Sequence, residues 1–346
     1  MMHHFWQEIK RPLIGLSPMD GVTDPAFRRI TALHGKPDLI ITEFASADGI
    51  CHGAETELSG LRFDEIERPV VAQIYGADPA LFFKAAQLVC ELGFDGLDIN
   101  MGCPAKRVSS KGCGAGLITD PTRAQAIIRS AKEGIKQWAD GAPLSALDLH
   151  PKTVAWAAEQ KKKPSRRIIP VSVKTRLGTN RIVIKEWVQH LLDANPAAIS
   201  IHGRTLSQGY RGSANWDAIY EAALIARGSG TLIFGNGDIA TMEEAHQKIR
   251  QGGVDGVLIG RSSLGNPWIF QNLHPLYDER IRVALEHATI FQEINGSYFS
   301  GMRKHLGWYC RGFQGASKLR AQLVRVKDLE ETKELLLPYL SAVASL

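Results

Sequence analysis

At 346 residues, with 44% hydrophobic and 22% charged side chains, the chain is too long for a single core of ordinary size and too apolar for a disordered one, so a large domain with a smaller companion is expected. No apolar run approaches the roughly 20 residues of a membrane span, and the stretch 1–6 lacks the basic start and apolar middle of a signal peptide, so a cytoplasmic protein without a membrane partner is expected. Five cysteines, at 51, 90, 103, 113 and 310, are too few and too scattered for a disulfide framework, and no Cys-x-x-Cys pair offers a simple zinc site; the formal charge of +5 permits an anionic partner without identifying one.

In chain order, apolar runs bounded by turn residues predict eight strands: 13–17, 39–42, 70–75, 96–100, 171–175, 198–202, 232–236 and 256–259. Helical patterns separate most of them, and eight strands with intervening helices is the count of a (β/α)8 TIM barrel. Helix starts are written at Asp24-Pro25, Asp78-Pro79 and Asp120-Pro121, each an acidic N-cap ahead of proline. Between residues 79 and 92, Leu81, Phe82, Ala85, Leu88, Val89 and Leu92 share one face, as an outer barrel helix requires. Thr241 and Glu244 have capping-box spacing.

The rhythm breaks once, at an insertion of about 138–168. It predicts an extra helix over 151–163 and contains the basic run Lys161-Lys162-Lys163-Pro164-Ser165-Arg166-Arg167, readable as a solvated surface or as an RNA-backbone contact. The barrel domain is expected to span 1–270. Beyond it, 271–346 reads as a small all-helical domain with helices near 283–293, 302–310 and 329–337. Its segment Arg303 to Arg311, with Lys318, Arg320, Arg325 and Lys327 beyond, mixes aromatic and basic residues. That mixture suits nucleic acid, and equally a helix with a plain core stripe.

Strand ends carry the candidate chemistry. The loops after strands seven and eight read Gly235-Asn236-Gly237-Asp238 and Gly260-Arg261, where glycine permits close backbone approach to a phosphate and arginine grips it. Gln73, Asn100, Lys174 with Arg176, and His202 with Arg204 end other strands and would converge over the barrel mouth. Cys103, in the turn Asn100-Met101-Gly102-Cys103-Pro104, could be a buried structural thiol, a nucleophile or a general acid.

These residues resemble the tRNA-dihydrouridine synthases along nearly the whole chain. The shared runs are 17–24 (SPMDGVTD), 73–76 (QIYG), 98–104 (DINMGCP), 173–176 (VKTR), 201–205 (IHGRT), 235–239 (GNGDI), Gly260-Arg261 and Arg303-Lys304-His305, with Gly114-Ala115 ten residues past Pro104. The resemblance implies a flavin oxidoreductase that reduces the 5,6 double bond of tRNA uridines, with bound FMN, NADPH (or NADH) as reductant and Cys103 as proton donor. It assigns Pro18, Met19, Asp20, Gln73, Lys174, His202, Asn236, Gly237, Asp238, Gly260 and Arg261 to the cofactor, and the helical domain to tRNA. Asn100, Arg176 and Arg204 are then candidates to hold uracil, and Arg303, Lys304 and Arg311 to meet the tRNA body. A monomer is expected, since no protein partner is implied. Cys113, where the family often has serine, is expected to be small and buried. The competing reading is a flavin barrel acting on a free small molecule, as a dihydroorotate dehydrogenase or ene-reductase does.

Overall fold

Side chains alternate across a strand, so a strand buried on both faces reads as an unbroken apolar run, and all eight such runs become strands. They are β1 (Leu13–Leu16), β2 (Ile40–Ser46), β3 (Val70–Tyr75), β4 (Gly96–Met101), β5 (Val171–Arg176), β6 (Ala198–His202), β7 (Leu232–Asn236) and β8 (Gly256–Ile259). The computed structural model describes residues 5–9, 11–160 and 164–341. The strands form one closed parallel barrel in sequence order, sealed where Leu13 to Leu16 pair with Gly256 to Ile259. A Cβ on Gly256 would meet the Leu13 carbonyl at 2.2 Å, so only glycine lets that seam close. β2 runs further than expected, through a register shift between Ile41 and Phe44.

Inward positions recur every second residue and fall into two layers. The lower layer is apolar, with Val71, Ala198, Phe234 and Leu258 in one cluster with Trp6. Trp6 comes from the short helix Phe5–Glu8, which was not predicted, and stacks on Phe234 at 5.2 Å as a plug. The upper layer is polar: Gln73, Asp98, Asn100, Ser172, Ser200, His202 and Asn236 are all buried, with Lys174 half-buried among them.

The acidic caps form as written. Asp24, Asp78 and Asp120 accept from the N–H groups of Phe27, Ala80 and Arg123, each with proline at the helix start. Thr241 caps Met242–Gly252 by accepting from Glu244 N, but the Glu244 carboxylate accepts the Ala240 N–H instead of closing the box on Thr241.

The insertion contains the helix Pro151–Glu159, tied to the barrel flank by Thr153 Oγ1 donating to Ile50 O at 2.7 Å. The run 161–163 lies outside the described residues. Arg166 sits over the Trp138 ring at 4.4 Å and donates to Ala142 O at 2.9 Å, while Arg167 pairs with Asp95, just ahead of β4, at 2.9 Å. These two arginines of the basic run therefore fasten the insertion to the barrel at the end away from the mouth.

After β8 come the helices Tyr277–Asn295, Met302–Tyr309, Ala316–Leu323 and Leu329–Ser341. Their core includes Ala26 and Ile30 from the helix Pro25–His34, together with Trp268. The apolar packing thus runs across residue 270. Below that junction Arg28, fully buried, donates to Glu67 Oε2 at 2.8 Å and to Thr23 O at 2.9 Å.

Candidate active site

A cavity of about 790 Å³ opens at the C-terminal ends of the strands. One end holds Asn100 and Cys103, the middle Lys174 and His202, and the far end Asn236, Gly237, Asp238, Gly260 and Arg261, while Pro18, Met19 and Asp20 form a side wall. This gathers most of the expected residues, though not Gln73 or Arg204, from strands scattered over more than two hundred positions.

At the thiol end, β4 stops and the chain turns sharply because Asn100 supplies the turn's acceptor. Its Oδ1 accepts from the N–H groups of Gly102 at 3.0 Å and Cys103 at 2.8 Å. Its Nδ2 donates to Gln73 Oε1 at 2.9 Å, and Gln73 Nε2 donates to Asp98 Oδ2 at 2.7 Å, whose other oxygen accepts from Ser172 Oγ at 2.6 Å. A relay of four side chains thus fixes the Cys103 turn. Gln73 is fully buried and bonded to both Asn100 and Asp98. Arg176 lines the cavity but commits its guanidinium to the carbonyls of Gly102 at 2.7 Å and of Thr205 and Gly209, both at 3.2 Å. Ala115 N donates to Cys103 O at 3.3 Å, backing the turn from behind. Cys113 is half-buried rather than buried, with its thiol donating to Lys111 O.

Charge in the middle of the cavity is set by burial. Burial and the neighbouring Arg176 push the Lys174 ammonium down to about 8, against the opposing pull of Asp98. Its Nζ donates to Asn236 Oδ1 at 3.1 Å. Burial raises the Asp98 carboxyl to about 6, opposed by the bonds from Ser172 and Gln73 and by Lys174. Burial, then Lys174, Arg176, Arg204 and Arg261, hold His202 down at about 2, so its imidazole is neutral.

At the far end, the Asp238 carboxylate accepts from Arg261 at 2.8 Å, Arg204 at 2.6 Å and the Ala214 N–H at 2.7 Å. Burial opposes ionisation there, yet those donors keep the carboxyl below its ordinary range. Gly237, at φ +125°, carries no Cβ because one would lie 2.8 Å from Ala214 Cβ and 3.2 Å from His202. Arg204, expected to hold a base, is off the cavity: its fork binds the Arg211 and Gly212 carbonyls and Asp238, pinning the loop after β6. That loop carries Tyr210, an exposed ring on the cavity wall beneath the Arg261 guanidinium.

The expected tRNA contacts Arg303, Lys304 and Arg311 all bond within the chain. Arg303 Nε donates to Val326 O at 2.7 Å, Lys304 Nζ to Gly21 O, and Arg311 to Leu264 O at 3.1 Å. Residues not singled out from sequence include Asp98, Ser172, Phe44 and Tyr210. Asp98 and Ser172 did leave a signal, as polar residues inside apolar runs, two positions from Asn100 and Lys174.

A cavity with two backbone-lined loops and an arginine at one end, a cation in the middle and a thiol turn at the other suits a long phosphate-bearing ligand beside a reacting substrate. The chain is 34% identical to "Probable tRNA-dihydrouridine synthase 2" of Bacillus subtilis (strain 168), over 97% of this chain and 96% of that protein. It is 33% identical to "Probable tRNA-dihydrouridine synthase" of Staphylococcus aureus (strain COL), over 97% and 95%. Solved structures are more distant, such as DHODH from Eimeria tenella at 15% identity and TM-score 0.48, covering 80% of this chain and 82% of that one. The family model "Dihydrouridine synthase (Dus)" matches residues 15–146 and 145–344, and the chain belongs to the dihydrouridine synthase family.

Proposed function

We propose that the cavity binds FMN and that the protein is a flavin-dependent tRNA-dihydrouridine synthase, reducing the 5,6 double bond of uridine in tRNA. The observation that carries this reading is that one cavity is lined by Cys103, beyond β4, and by Gly237, Gly260 and Arg261, beyond β7 and β8 on the other side of the closed barrel. FMN fits on the chemistry of the donors. The Gly237–Asp238 and Gly260–Arg261 loops would take its phosphate, with Arg261 able to exchange Asp238 for it. Lys174 would face the pyrimidine edge of the ring system, with neutral His202 beside it.

FMN held by these residues would supply hydride chemistry at carbon 6 of uracil, with NADPH or NADH as the ultimate reductant. Cys103 gives its proton to carbon 5, which completes the saturated ring, and the thiolate is reprotonated from solvent. Asn100 holds the thiol's turn and is near enough to the cavity to meet the base. The neutral imidazole of His202 donates or accepts without adding charge, leaving Lys174 as the cation for the electron-rich reduced state. A uridine reaches this depth only if turned out of its stack, at a cost of a few kcal/mol that contacts between the helical domain and the tRNA offset.

Mapping dihydrouridine in tRNA from cells with and without the gene tests the proposal. Loss of the modified base at one or more positions is expected. An unchanged map, with a purified protein that reduces free uracil or an enone, would favour the small-molecule reading.

A further inference from the structure

The loop 17–24, which brings Pro18, Met19 and Asp20 to the cavity wall, is gripped from two sides. From the barrel, Arg28 donates to Thr23 O at 2.9 Å and Glu43 Oε1 accepts from Val22 N at 2.8 Å. Within the loop, Met19 N donates to Thr23 Oγ1 at 3.0 Å, and Met19 O accepts from the N–H groups of Val22 and Thr23 at 2.9 and 3.0 Å. From the helical domain, consecutive residues of Met302–Tyr309 close the strap. Lys304 donates to Gly21 O, and the buried His305 bonds Asp24 Oδ2 through Nε2 at 3.1 Å.

Apolar packing through Ala26, Ile30 and Trp268 already joins the two parts. Burying an imidazole against a carboxylate adds a desolvation cost that adhesion alone does not require, so the contact has a directional purpose. Burial, the largest single influence, would raise the Asp24 carboxyl, but the His305 bond, the charges of His305 and His287 and the Phe27 N–H together hold it at about 2. Behind His305, His287 Nδ1 bonds Tyr309 Oη at 3.1 Å.

We propose that Lys304 and His305 are positioning residues which, through Gly21 and Asp24, set the Pro18–Asp20 wall of the cavity, so that RNA seated on the helical domain is felt at the cofactor. This rests on FMN occupying that cavity. It replaces a phosphate contact for Lys304. It also competes with a cation site, because ligand atoms of Asp24, His287 and His305 lie within 4.8 Å of one another.

The test compares wild type with Lys304→Met, His305→Leu and His305→Gln, the last keeping a donor near the position of Nε2. Amide exchange of segment 17–24, FMN affinity, and the change in flavin absorbance on adding tRNA are measured, together with metal content. Lys304→Met and His305→Leu should speed exchange and weaken FMN by roughly fivefold, the equivalent of one net hydrogen bond, and abolish the tRNA-induced spectral change. His305→Gln should restore all three. Unchanged exchange and FMN affinity, with a tRNA salt slope lowered by about one in Lys304→Met, would make Lys304 a phosphate contact and overturn the proposal. Stoichiometric metal in wild type, lost in His305→Gln, would overturn it too. If His305→Leu fails to fold, Lys304→Met, altered at an exposed side chain, still decides. A wild type that never binds FMN would overturn the flavin reading and the coupling with it, while exchange in the strap would still respond to both substitutions.

Discussion

Asp98 and Lys174 sit within the same polar layer and titrate toward each other, one raised to about 6 and the other lowered to about 8. Above pH 6 Asp98 is a carboxylate that accepts from both Gln73 and Ser172. Below it, the added proton removes an acceptor and loosens the relay to Asn100 and Cys103. Below pH 8 Lys174 is charged; above it the cation is lost. Uridine reduction should therefore follow a bell, falling below about 6 and above about 8, with the limbs belonging to the coupled pair. Lys174→Met should remove the alkaline limb and lower the plateau; an unaltered limb would assign it elsewhere. Unfolding through this lysine does not explain the alkaline loss. Its folded value lies below the ordinary 10.5, so between about 8 and 10.5 the unfolded state binds more protons and this group's contribution to stability rises with pH. At this scale the sequence was legible where a residue type interrupts a pattern, as at Asn100 and Cys103. It was misleading where only partners decide the role. Nothing local distinguishes Arg176, which faces the cavity, from Arg204, whose fork is filled by carbonyls and Asp238.

The strands were readable because burial on both faces imposes continuous apolar runs, and the capped helices because Asp-Pro writes both the acceptor and the fixed φ. Short polar elements were not. Ala316–Leu323 buries Ala316, Leu319 and Leu323 on one face, but two turns are too short a run for that spacing to stand out, and Phe5–Glu8 is defined by what Trp6 plugs. Loop geometry was legible only as glycine, without the neighbour that demands it. One such neighbour is testable. A Cβ on Gly235 of β7 would lie 2.3 Å from the Trp216 ring, whose Nε1 donates to Gly237 O at 3.1 Å. Gly235→Ala should cost about 1–3 kcal/mol in urea unfolding through overpacking and weaken FMN by displacing the Gly237–Asp238 loop. Wild-type FMN affinity in that variant would show that the loop is positioned without Trp216.

Across the whole molecule, the mild positive charge reads differently once partners are known. Arg303, Lys304, Arg311 and Arg320 all donate to backbone carbonyls, whereas Lys318 and Arg325 are exposed and have no side-chain ion pair or hydrogen bond among the described residues. Replacing Lys318 and Arg325 by Met should lower the salt slope of tRNA binding by about one per cation; an unchanged slope would move the RNA surface elsewhere. The change from strands to helices after Ile259 was visible as the end of strand periodicity. The sharing of Ala26 and Ile30 with the second core was not, because it depends on which helix the later ones pack against. The most direct test of the whole account is to incubate purified protein, FMN and NADPH with an unmodified tRNA transcript, using wild type and Cys103→Ala. Wild type should form dihydrouridine, and Cys103→Ala should stay yellow and bind tRNA yet be slower by about a hundredfold or more, the range of a lost general acid. Full activity without the thiol, or a wild type that reduces free uracil and leaves tRNA untouched, would contradict it.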